Sequence, residues 1–358
     1  MTGVRVAVVG CGGIGGVIAG SLARAGVDVT AVTGGAAIKD AIAKDGLVVE
    51  ELDGSRWSAR PARAPVETLT PEDGPFDLVI VATKATTLAD ACRALAPTLA
   101  PGAVVLTCQN GLPEAHAARI LGPGHVLGCV VAFGASMLAP GVYRRTSKGG
   151  LEIGRPHADA PDPIATATLL ELAFPTTITE DLTATRWSKL ALNCATSTLG
   201  AIGGTTLGAL LARRWVRRLV LELWTEIVAV ARAEGVRMAP VGGTFDIERM
   251  ALGPVERSAT FGTPGLARRH ALLIAVGVKY RRLRSSMLLA LERKRKPEID
   301  FLNGEITRRG RTHGIATPIS DALIAAVDEL ERGVTTPSMA LLAEVAQRAV
   351  PGLGATTR

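Results

Sequence analysis

Short apolar runs alternate with helically spaced segments through the first 135 residues. Residues 4–9, 27–32, 77–82, 103–107 and 126–133 are rich in valine, isoleucine and leucine and read as buried strands. Between them, 17–25, 88–96 and 113–121 place apolar residues at helical spacing. Strands and helices in this order predict a parallel, doubly wound sheet. Residues 143–154 hold two strand-like pieces around Gly149-Gly150 and predict a late hairpin, and 155–163, rich in Pro, Asp and Ala, predicts a linker.

Beyond the linker the pattern turns helical. Residues 164–173, 181–199, 214–234, 268–291, 298–313, 318–332 and 338–350 suit helices. Gly235 and Gly314 supply stops, and Pro318 opens the helix that follows. Residues 239–267, rich in Gly, Pro and Thr, read as an irregular insertion. The 358 residues exceed one compact core and predict two domains, 1–180 and 181–358.

The first strand and helix frame the most informative motif, Gly10-Cys11-Gly12-Gly13-Ile14-Gly15. G-x-G-x-x-G between a strand and a helix is a dinucleotide fingerprint. Gly10 permits the turn, Gly12 lets the backbone approach a pyrophosphate, and Gly15 lets the helix pack on the strand. The free N–H groups of the helix then face the phosphates.

Composition narrows the function. Aromatic residues make up 3% of the chain, which argues against stacking platforms for nucleic acid or glycans. The net charge of +7 gathers late, in Arg281, Arg282, Arg284 and 293–296, as a solvated helix face or as part of an anionic-ligand cleft. No nucleic-acid motif accompanies it, and no nucleic-acid partner is expected. Five scattered cysteines form no C-x-x-C pair, so neither a metal site nor a disulfide framework is expected. With a start directly in a strand, this predicts a cytoplasmic protein without a signal peptide. Residues 190–212 carry no formal charge, but Asn193 and Gly203-Gly204-Thr205-Thr206 predict a buried helix and loop rather than a membrane span.

Three further stretches could carry chemistry. Lys189 and Asn193 are four apart and share a helix face. They read as a proton donor with a hydrogen-bonding orienter, or equally as a snorkelling lysine beside a locally satisfied amide. Pro297 predicts a helix start with Glu298 in its first turn, where a carboxylate also serves the helix dipole. Gln109-Asn110-Gly111 follows a strand, at the edge that lines ligand crevices or simply in an Asn-Gly turn.

Taken together, the glycine loop, Ala82-Thr83-Lys84, Cys108-Gln109-Asn110-Gly111-Leu112, Trp187-Ser188-Lys189-Leu190 with Asn193, and Glu298-Ile299-Asp300 with Asn303-Gly304 resemble the ketopantoate reductases (2-dehydropantoate 2-reductases), relatives of the 6-phosphogluconate dehydrogenase-like oxidoreductases. The resemblance covers nearly the whole chain. It implies an α/β fold, an N-terminal Rossmann domain followed by an all-helical C-terminal domain, with the active site in the cleft between. It also implies NADPH-dependent reduction of a 2-oxo acid. Lys189 then matches the lysine that protonates the ketone oxygen, and Glu298 the acid that holds substrate and lysine. Lys84 and Asn110 match positions near the cofactor, and Asn193 and Ser286 substrate contacts.

The chain departs from the family at two substrate positions, where Ser197 and Leu207 replace asparagines. A different oxo, hydroxy or imino acid is therefore the alternative substrate, and a non-catalytic NADPH-binding protein the remaining alternative. After the second strand no acid awaits the ribose hydroxyls of NAD; Val32-Thr33-Gly34-Gly35 follows, with Thr33 and Lys39 as candidates for the 2′-phosphate of NADP. The long apolar helices after Arg214 predict a homodimer.

Overall fold

The early apolar runs fold into strands in a computed structural model, which describes residues 3–240, 246–258 and 262–353. The order is β1 (Arg5–Val9), α1 (Gly13–Arg24), β2 (Asp28–Val32), α2 (Ala36–Asp45), β3 (Leu47–Glu50), β4 (Arg56–Ala59), β5 (Phe76–Val81), α3 (Leu88–Leu95), β6 (Leu99–Thr107), α4 (Glu114–Leu121), β7 (Val126–Val131), β8 (Ala135–Ala139), β9 (Val142–Arg145), β10 (Leu151–Gly154), α5 (Ile164–Glu171) and β11 (Thr176–Ile178). Seven strands form one sheet in the order β11-β10-β7-β6-β5-β1-β2. Pairing is parallel from β2 across to β7; β10 then runs antiparallel to β7, and β11 parallel to β10. Every residue of β7 is buried, as strands covered on both faces require.

A second sheet, β4-β3-β9-β8, stands apart from the first. It corrects the expected hairpin over 143–154: β9 pairs with β3 and β8, whereas β10 pairs with β7. Gly149, at φ +147°, carries the chain between the sheets, where a β-carbon would strike the Ala132 carbonyl. Residues 155–163 are likewise no interdomain linker. They lead to α5 and to β11, which extends the same sheet.

The chain divides into two compact units, Met1–Leu182 and Thr183–Arg358. Among its described residues the second is helical: α6 (Leu182–Gly203), α7 (Leu207–Ala212), α8 (Arg214–Ala233), α9 (Ile247–Met250), α10 (Pro254–Ser258), α11 (Pro264–Lys279), α12 (Ser286–Glu292), α13 (Asn303–Thr312), α14 (Pro318–Glu331) and α15 (Met339–Ala349). Trp187 and Trp224 are fully buried, and the Trp224 indole donates to the Ala191 carbonyl over 2.9 Å, which joins α8 to α6.

Three expectations change here. The helix over 268–291 is broken into α11 and α12, because the Leu283 carbonyl accepts from Leu207 N–H over 2.9 Å, Thr206 bridges to Arg284, and the Ser285 hydroxyl caps α12. The helix expected from Glu298 begins at Asn303, and Glu298 instead precedes a short 3-10 turn, Ile299–Phe301. The insertion over 239–267 is partly ordered: Asp246 caps α9 by accepting from Glu248 and Arg249 N–H, α10 follows, and α11 opens at Pro264. Its residues 241–245 and 259–261 lie outside those described. Among the described residues no helix is long and apolar enough to cross a membrane.

Candidate functional site

The glycine loop takes the geometry its sequence demands. Gly10 sits at φ +98°, and a β-carbon there would lie 2.6 Å from the Thr83 backbone nitrogen. Gly15 lies so close to the Gly10 carbonyl that any side chain would collide with it. Above Gly12, the residue that caps α1, nothing lies within 4 Å of a built β-carbon. The first turn of α1 carries no acid, and no side chain caps it. Open space over Gly12, a first turn that no side chain caps and a positive helix end fit a dinucleotide pyrophosphate held by the backbone from Gly12 to Gly15.

The remaining glycines of α1 answer to the second sheet. Gly13 meets the Ala135 backbone, Gly16 the Tyr143 ring, and Gly20 Leu47 and Val49. The Tyr143 hydroxyl also donates to the Cys11 carbonyl over 3.1 Å, a support for the loop that sequence reasoning missed. The Cys11 side chain itself points inward: it is 1% exposed, and burial pushes its thiol up to about 12. Cys11 therefore serves the loop through its backbone.

The carboxyl ends of β1, β5 and β6 converge. Thr83 abuts Gly10, and the Gln109 side-chain amide donates to the Val81 carbonyl over 3.0 Å and to the Thr83 carbonyl over 3.2 Å. Lys84, exposed after β5, and Asn110, half-buried after β6, thus share an edge with the glycine loop. From β1 the chain proceeds outward to β2 on one side and β5 on the other, the switch point at which open α/β sheets bind ligands.

Next to β2 the picture is mixed. The Thr33 side chain is only 3% exposed, and its N–H donates to the Val66 carbonyl over 2.9 Å. Lys39 is partly exposed but pairs with Glu67 over 2.7 Å, and that carboxylate holds the ammonium above its ordinary pKa.

In the second unit, α6 is buried except at Thr183, Lys189, Leu192, Asn193 and Thr196. Lys189, Leu192, Asn193 and Thr196 fall at i, i+3, i+4 and i+7, a single half-buried stripe on the helix. Ser197, one turn beyond Asn193, is 9% exposed, and its carbonyl accepts from the Ser285 hydroxyl over 2.5 Å. Ser286 is exposed at the start of α12, and Glu298 is half-buried. Leu207, 7% exposed, packs at the start of α7. Asn303, wholly buried, accepts from the Thr198 hydroxyl over 2.7 Å and ties α13 to α6 one turn beyond Asn193. Among the described residues no group of His, Cys, Asp and Glu could hold a metal ion.

Comparison with known proteins agrees across the chain. The family described as "Ketopantoate reductase PanE/ApbA" matches residues 6–157, and its C-terminal counterpart matches residues 181–331. A 2-dehydropantoate 2-reductase of Halobacterium salinarum is 30% identical, covering 88% of this chain and 95% of its own. Another, from Mesorhizobium japonicum, is 29% identical over 92% of this chain and 99% of its own. A PanE/ApbA family ketopantoate reductase structure from Ralstonia eutropha superposes with a TM-score of 0.76 at 28% identity, covering 92% and 99%. A D-mandelate dehydrogenase solved with NADH and anilino(oxo)acetate has the same fold, with a TM-score of 0.76 at 21% identity, covering 93% and 99%.

Proposed function

Because the chain belongs to the ketopantoate reductase family of oxidoreductases, we propose that it reduces a 2-oxo acid to the 2-hydroxy acid with NADPH, 2-dehydropantoate being the first candidate. The observation that carries this reading is the Lys189–Asn193 stripe, half-buried on a helix whose positions are mostly buried. The backbone of Gly12 to Gly15 holds the pyrophosphate, with Lys84 and Asn110 beside it. A nicotinamide dinucleotide bound there supplies the hydride. The Lys189 ammonium delivers a proton to the ketone oxygen as negative charge builds on it. Asn193 orients the same oxygen by hydrogen bonding. Glu298 and Ser286 bind the rest of the acid.

Two features support NADPH over NADH: no acid follows β2, and Lys39 stands on α2 just beyond it. A related dehydrogenase acting on another oxo, hydroxy or imino acid is the second reading, favoured by Ser197 and Leu207, neither of which offers an amide. Five free cysteines, four of them buried, suit a reducing cytoplasm. Exposed Val278 and Leu283 support a homodimer, which light scattering tests. The activity itself is tested by following nicotinamide absorbance with purified protein, each cofactor and a panel of 2-oxo acids. Turnover of 2-dehydropantoate with NADPH is expected. Turnover of a different acid alone moves the protein to the second reading, and turnover of none refutes reduction.

A further inference from the structure

Helix α8 opens with Arg214 and Arg217, three residues apart and so on one face. Arg217 is 8% exposed, and no carboxylate among the described residues pairs with it. Its Nη1 donates to the carbonyls of Leu211 and Ala212 over 2.6 and 2.8 Å, and its Nε to His270 Nδ1 over 3.4 Å. The nearby carboxylates are engaged elsewhere. Glu222 accepts from Arg218 over 2.9 Å and from Arg257 over 3.2 Å, and Glu256 accepts from Arg269. Among the described residues Arg214 has no ion pair. A buried guanidinium without a counter-charge is costly, and the structure leaves two cationic groups side by side.

Both arginines and His270 line a cavity of about 500 Å³, the size of a small-molecule site. Pro264, Leu266 and Ile274 form its apolar wall. None of its lining residues belongs to α6 or α12, which carry Lys189, Asn193, Ser197 and Ser286. His270 completes the donor set. Because Nδ1 accepts from Arg217, the neutral ring presents N–H at Nε2. Burial, together with Arg217, Arg214 and Arg218, pushes the imidazole down to about 4, so it stays neutral at physiological pH.

The geometry points to a second ligand site, in which Arg214, Arg217 and His270 bind the oxyanion of a small organic acid whose apolar body rests on Pro264, Leu266 and Ile274. A carboxylate and a phosphate monoester both match the planar guanidinium fork. Larger polyanions do not suit a cavity of this size with so few cations. Binding adds negative charge beside His270 and raises its pKa toward the ordinary 6.5, which supplies a reporter.

The test follows the His270 ring resonances, assigned with His270→Gln, during titration with phenyl phosphate, benzoate and inorganic phosphate. A saturable shift with phenyl phosphate or benzoate is expected, and the tighter of the two identifies phosphate or carboxylate as the preferred head. Arg214→Gln, an exposed change that spares the carbonyl bonds of Arg217, is expected to weaken that binding about tenfold, the scale of one charge-assisted hydrogen bond. No saturable shift with either organic anion, or equal affinity in Arg214→Gln, overturns the proposal. Inorganic phosphate binding as tightly as phenyl phosphate overturns it too, since the apolar wall then does nothing and the site holds an adventitious ion only. A His270 signal that follows protein concentration and ignores all three probes means that a second copy of the chain fills the cavity, and this also overturns it.

Discussion

The Tyr143 ring occupies the space that a side chain at Gly16 would need, while its hydroxyl donates to the Cys11 carbonyl over 3.1 Å. One residue of the second sheet thereby fixes both the first turn of α1 and the loop before it. Tyr143→Phe keeps the ring and removes the bond, leaving a buried carbonyl with one donor fewer. A loss of about 1 kcal/mol in stability and a several-fold weaker dinucleotide affinity are expected. Gly16→Ala forces a methyl into the ring and is expected to cost about 1–3 kcal/mol. Thermal denaturation and cofactor titration measure both. An unchanged melting temperature for Gly16→Ala would mean that the ring yields freely.

The Lys39–Glu67 pair yields a prediction about cofactor choice. If Lys39 serves the 2′-phosphate, Glu67 competes with it for the same ammonium. Glu67→Gln is then expected to lower KM for NADPH several-fold and to leave KM for NADH unchanged. Lys39→Ala is expected to raise KM for NADPH alone. Parallel changes with both cofactors would place the 2′-phosphate elsewhere.

Much of this architecture is written in local patterns. Valine-rich runs such as 4–9 become buried parallel strands because such strands are covered on both faces. The glycine loop was readable because strand, turn and helix each left a signature. The second sheet was not: β4 reads Arg-Trp-Ser-Ala, alternately exposed and half-buried, and its identity comes from pairing with β3. Tyr143 was missed for the same reason, since its partner Gly16 lies 127 residues earlier in sequence. Pro297 suggested a helix start that tertiary contacts moved to Asn303, whose carbonyl oxygen accepts from Thr198 on α6. In the candidate site, spacing placed Lys189 and Asn193 on one face. Only coordinates showed that this face is half-buried on a mostly buried helix, and that Glu67 engages Lys39.

Glu226 tests how α14 is anchored. Its carboxylate accepts from Ile319 N–H over 2.9 Å, Ser320 N–H over 3.0 Å and the Ser320 hydroxyl over 2.6 Å, capping the helix from α8. Glu226→Ala leaves these donors without a partner and is expected to destabilise the fold by about 1–3 kcal/mol. Burial raises the carboxyl above its ordinary pKa. The folded chain therefore keeps the proton to higher pH than the unfolded chain does. The stability this provides is full below the unfolded pKa and is lost as pH rises through the folded value. Glu226→Gln, which cannot ionise, is expected to gain on the wild type as pH rises above the ordinary carboxylate range in denaturant unfolding. A constant difference as pH rises would contradict the raised pKa.

The central claim is that the Lys189 ammonium protonates the reduced substrate, and replacing it tests that claim most directly. Lys189→Ala should lower kcat by about a hundred- to ten-thousandfold, the scale of one general acid. Cofactor affinity should stay unchanged, because the glycine loop is untouched. Turnover near the wild-type rate, on whichever 2-oxo acid the enzyme prefers, would contradict the account.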